Sequence, residues 1–169
     1  MFTLKKPVFI SLVFTALLLC AAQLPYAQTG TAAFDRTAFY DALSGNDITT
    51  IQNQLDIVGK SPYDGKEAFE GALMMKKASL IKGVSDKLKT FKLGREKLEN
   101  MLDKYASNAE FRFLRLMIQE KAPKILGYDE QLKEDHKYVV EHFKTMPEAA
   151  QKAILDYSKS SKVLSPADF

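Results

Sequence analysis

Between Ser107 and Leu126 the chain reads Ser-Asn-Ala-Glu-Phe-Arg-Phe-Leu-Arg-Leu-Met-Ile-Gln-Glu-Lys-Ala-Pro-Lys-Ile-Leu, a stretch too apolar for an ordinary surface helix. At about 100° per residue, Phe111, Phe113, Leu114, Leu116, Met117 and Ile118 spread over about 220° of a helical wheel, so this helix needs neighbours on several sides. Arg112, Arg115 and Gln119 share the remaining arc of about 60°. The pattern predicts a central helix with one charged seam. A buried guanidinium without a partner costs several kcal/mol, so an acid must face the seam, with Glu70, Asp103, Glu120 and Asp156 as the internal candidates. If the seam opens outward instead, Arg112, Arg115 and Gln119 form a partner-binding site for a carboxylate or an acidic segment.

The rest of the chain divides into shorter segments of the same period. Asp35 caps a helix bearing Phe39, Tyr40 and Leu43, and Asp47 caps a second with Ile48, Ile51, Leu55 and Val58, ended by Gly59. Ser61 with Pro62 and Asp64 opens a third, carrying Phe69, Leu73, Met74, Leu80 and Ile81, whose Ala68, Gly71, Ala72 and Ala78 admit a closely packed neighbour. A mid-helix glycine costs about 1 kcal/mol against alanine, so Gly71 reads as a packing residue. Ser85 opens a fourth with Leu88, Phe91, Leu98, Met101, Leu102 and Tyr105; its lysine-rich outer face reads as solvated surface. Ser107 and Glu110 form a capping box for the central helix, which Pro123 ends or kinks before Gly127. Asp129 leads a sixth helix with Leu132, Val139, Val140, Phe143 and Met146, and Thr145 with Glu148 boxes a seventh with Ala150, Ile154 and Tyr157. No stretch alternates with period 2, so the fold class is all-α: about seven helices as antiparallel αα-hairpins, in a TPR-like array or an irregular bundle. A stacked array of hairpins predicts graded loss of stability when the Asp35–Val58 pair is removed.

The N-terminus changes the picture of where this fold resides. Lys5 and Lys6 precede an apolar run of 15 residues, Val8 to Ala22, and a polar exit to Ala27, the pattern of a secretory signal peptide cleaved after Ala27 or after Ala22. A membrane span needs about 20 apolar residues, so no stable membrane anchor is expected. The Leu-Leu-Leu-Cys20 sequence looks like a lipobox but has Leu19 where a small residue is required. The expected organisation is a signal peptide over 1–27, a disordered leader over 28–34 and a single helical domain over 35–169, exported to the periplasm or beyond. Losing Lys5 and Lys6 leaves 22 basic residues against 21 acidic, a net charge of about +1 in place of +3, which argues against nucleic acid as a partner. The only cysteine, Cys20, leaves with the signal, so the mature chain has no disulfide and relies on its apolar core.

The segment Lys97 to Leu114, with a helix end, a turn and then Asn108-Ala-Glu and an aromatic, resembles the join between two tetratricopeptide repeats. It departs from that family at Ala106, where proline is usual, and at Leu116, where a small residue is usual. The stretches Gly-Ala-Leu-Met-Met-Lys-Lys-Ala, Phe-Arg-Phe-Leu-Arg-Leu-Met-Ile-Gln-Glu and Gln-Lys-Ala-Ile-Leu-Asp-Tyr-Ser-Lys also make the chain look like small exported helical proteins of Bacteroidetes-type bacteria. That resemblance covers most of the chain and implies no activity.

Catalytic chemistry leaves little trace. His136 and His142 lack a carboxylate at helical spacing, so neither completes a two-donor metal face, and phosphate loops, Gly-x-Ser-x-Gly and His-Glu-x-x-His are all missing. No catalytic, cofactor-binding or metal-ligating set is expected, and the chain reads as non-enzymatic. Two functions fit. The first is a protein-interaction or scaffold module that grips another exported protein or peptide. The alternative is a carrier of a small ligand or lipid, with an interhelical pocket lined by residues such as Phe69, Met74, Met75, Met101 and Met117.

Overall fold

Asp35 and Asp47 satisfy amides that a helix start leaves unpaired. The Asp35 carboxylate accepts from the N–H groups of Thr37 and Ala38, and that of Asp47 from Thr49 and Thr50. In this computed structural model, which describes residues 34–169, they open α1 (Arg36–Ser44) and α2 (Ile48–Gly59). Five more helices follow: α3 (Lys66–Leu80), α4 (Val84–Lys104), α5 (Ala109–Lys121), α6 (Leu132–His142) and α7 (Glu148–Ser158). The fold is all-α, and the described residues contain no strand. The signal peptide assigned to 1–27 and the leader residues 28–33 lie outside the described residues. Phe34, placed at the end of that leader, belongs to the core, packed edge-on against Phe69 at 4.8 Å and Phe39 at 6.0 Å.

Five helix starts differ from the sequence pattern: α4 begins at Val84, behind Gly83, with Ser85 inside the helix and no side-chain cap, and at three others the expected capping side chains bond elsewhere. Ser61 Oγ accepts from the N–H of Tyr63 and closes a turn, so α3 begins at Lys66, after Gly65. Asn108, not Ser107, caps α5 by accepting from Phe111 N–H, while the Glu110 carboxylate turns away to Arg36 and Tyr40. Thr145 Oγ1 donates to His142 O, leaving α7 to start behind Pro147 without a side-chain cap. The Asp129 carbonyl accepts from Leu132 N–H in a turn, and α6 begins at Leu132.

The wide apolar arc of α5 is enclosed: every residue from Ala109 to Gln119 except Arg112 is buried. It packs against α3, α4 and α6. α3 and α4 form the closest pair, an antiparallel hairpin crossing at Gly71 and Gly94. A Cβ on Gly71 would lie 2.5 Å from Gly94 O, and one on Gly94 would lie 2.6 Å from Gly71 O. The chain enters α4 through Gly83, whose φ of 85° a side chain would strain. α1 packs on α2 and α3 and also on α7, joining the two ends of the described chain. Its Arg36 and Tyr40 both donate to Glu110 at 3.0 Å; burial pushes that carboxyl up, and these two partners oppose the shift. Beyond α7 the chain folds back onto α5, where Glu120 accepts from Tyr157 OH, Ser161 Oγ and Lys162 N–H.

Candidate functional site: the arginine seam and an apolar cleft

The seam of α5 faces α6. Arg115 grips Asp135 through two parallel bonds, Nε to Oδ2 at 2.7 Å and Nη2 to Oδ1 at 2.8 Å, and reaches Glu99 of α4 through Nη1 at 2.8 Å. Glu99 also accepts from Tyr128 OH. Arg112 donates to Glu134 at 2.8 Å and Asp135 at 3.2 Å, and lies over the Tyr138 ring at 4.4 Å. Arg112, through both bonds and charge, holds the exposed Glu134 carboxyl below its ordinary value. Gln119 donates to Gln131 Oε1 at 3.0 Å. The internal acids are therefore Asp135, Glu99 and Glu134; Glu70, Asp103, Glu120 and Asp156 play no part, Glu70 pairing with Lys97 and Asp156 with Lys152 and Lys159. Asp135 carried a signal in the sequence. It lies three residues after Leu132 and four before Val139, on the apolar stripe of α6, and it is fully buried.

Apart from the seam lies a cleft of about 1020 Å³ walled by α1, α3, α4, α5 and α7 and by the 3-10 turn Lys124–Leu126. Leu43, Met75, Phe91, Met117 and Ile118 form its apolar interior. Of the methionines and phenylalanine named as pocket candidates, Met75 and Met117 line it. Phe69 sits in the aromatic core against Phe34, Phe39 and Phe111, Met74 packs over Gly94, and Met101 is buried on α4. At the mouth, Val84 is 84% exposed and Ile125 93% exposed. Lys76, Lys87, Lys121 and Lys152 stand on the rim with Asp41 and Asp156. Burial pulls the Lys76 ammonium below its ordinary value, and its Nζ donates to Asn46 Oδ1 at 3.0 Å.

The histidines serve locally. His142 Nδ1 donates to Tyr138 O at 2.9 Å and its ring stacks on Tyr138, while His136 Nε2 lies 3.4 Å from Asp168. Among the described residues no three His, Cys, Asp or Glu side chains cluster as a metal would require, and no helix is long and apolar enough to cross a membrane. No known protein family, curated protein or solved structure matches this chain.

Proposed function

We propose that this chain is an exported, non-enzymatic binding protein that holds an apolar small molecule in the five-helix cleft. The observation that carries the reading is the cleft itself, about 1020 Å³ with an apolar interior. Sites for small molecules span roughly 300–1,000 Å³ and are mostly apolar with a few polar groups at the edge, so size and lining both fit the upper end of that class. Met75 and Met117 add side chains that re-pack around ligands of different shape. The interaction-module reading drew its charged contact from Arg112 and Arg115, and both guanidinium groups already have internal acids.

Ala153 of α7 lines the cleft and is only half-buried, so Ala153→Phe places a ring in the space with little change to the core. Protein obtained by expressing the full chain should carry a co-purifying amphiphile in native mass spectrometry and bind an environment-sensitive apolar dye. Ala153→Phe should weaken dye binding about ten-fold, a change of roughly 1.4 kcal/mol, while leaving the melting temperature nearly unchanged. A clean mass together with no dye binding rejects this function.

A further inference from the structure

The rim of the cleft is not electrically uniform. Lys152 is held by Asp156 at 3.0 Å and Lys121 by Glu120 at 3.4 Å, and Lys87 is exposed to water. Lys76 differs from all three. It is half-buried on the α3 wall, and the one hydrogen-bond partner of its ammonium among the described residues is the neutral amide oxygen of Asn46. No Asp or Glu pairs with it among the described residues, and residues 1–33 contain neither acid. Ser44, at the end of α1, lines the cleft beside it and adds a hydroxyl to the charge, whereas the Ser79 hydroxyl, one turn further along α3, is spent on the Lys76 carbonyl. Asp41 also stands on the rim but forms no ion pair with Lys76, and it is exposed enough for its field to be screened.

Resting on the cleft reading above, we propose that Lys76 receives the carboxylate of a long-chain fatty acid whose hydrocarbon tail lies along Met75, Phe91 and Met117. A partly desolvated ammonium without a counter-charge gains from an anion more than an exposed one does, because the ion pair forms where water screens it less. Burial pulls the Lys76 pKa below its ordinary value, and a bound carboxylate acts in the opposite direction by favouring the ammonium. The head group is singly charged and compact on the same evidence of chemistry: a lone lysine is a point charge, and the rim carries no arginine fork of the kind that clasps phosphate.

The test compares ligands that share a tail and differ in the head. Dodecanoate, 1-dodecanol and dodecyltrimethylammonium are titrated below their aggregation limits into the full-chain protein, into Lys76→Met, Lys76→Arg and Lys87→Met, by displacement of a neutral apolar dye. Wild type should prefer dodecanoate over dodecanol about ten-fold and bind the cationic ligand worst. Lys76→Met should remove that preference while keeping dodecanol affinity within about two-fold, and Lys76→Arg and Lys87→Met should retain it. Equal binding of dodecanoate and dodecanol by wild type, or an undiminished preference in a folded Lys76→Met, overturns the role of Lys76 and leaves the cleft reading standing. Failure of every ligand and of the dye overturns the cleft reading itself.

Discussion

Asp135 sets the energetics of the seam because it has no exposed surface and three guanidinium contacts: two from Arg115 and one from Arg112. Replacing a buried ion pair by apolar groups is often neutral, but deleting one partner strands the other charge at a cost of about 3–5 kcal/mol. Arg115→Met leaves Asp135 with only the 3.2 Å bond from Arg112, so it should lower stability by about 3 kcal/mol or more. Arg112→Met removes a cation whose main partner, Glu134, is 67% exposed on its side chain, and should cost nearer 1 kcal/mol. Chemical denaturation of both variants measures the difference. An unchanged midpoint for Arg115→Met would show that the seam is not structural and return it to consideration as a partner site.

The α3–α4 hairpin depends on two missing side chains. At the Gly71–Gly94 crossing a methyl group would meet backbone, Gly94 O at 2.5 Å and Leu98 N at 2.8 Å, and backbone cannot swing aside as a side-chain tip can. Alanine is favoured over glycine within a helix by about 1 kcal/mol, so an isolated helix would gain from Gly71→Ala. Overpacking costs typically 1–3 kcal/mol and should outweigh that gain here. Both Gly71→Ala and Gly94→Ala should therefore lower the melting temperature by several degrees, and differential scanning calorimetry reads it directly. Gly94→Ala presses on Met74 and Met75 as well, and Met75 lines the cleft, so this variant should also alter dye affinity where Gly71→Ala does not.

For the whole molecule the decisive contact joins α1 to α7. In a linear stack each unit touches only its neighbours, and losing the first leaves the rest partly folded. Here α1 supplies Phe39 and Leu43 to the core, Arg36 and Tyr40 to the Glu110 cluster, and one wall of the cleft. Deleting Phe34–Gly45 should therefore strand Glu110, whose carboxylate is 4% exposed, and turn a sharp thermal transition into a broad one. Circular dichroism melts of the shortened and full chains provide the check. A graded, still cooperative loss would support the stacked-hairpin expectation instead.

What the sequence by itself determined was whatever depends on residues within a turn or two of each other. The Asp35 and Asp47 caps, the helical spacing of Phe39 to Val58, the all-α class and the wide buried apolar arc of α5 were legible because each follows from local hydrogen bonding or from the 3.6-residue period. Gly71 was legible as a packing residue, but its partner Gly94 was not, since the crossing point depends on how two helices dock. Local rules failed at Asn108, where Glu110 was drawn to Arg36 and Tyr40, 74 and 70 residues back in the chain. The acid opposite Arg115 was likewise a choice among 21 carboxylates, made only by the docking of α6 on α5. Of the cleft only Met75 and Met117 were legible, as apolar residues at helical spacing, and Phe69, Met74 and Met101 named with them lie elsewhere, because a cavity is the space five helices fail to fill and no single helix encodes it.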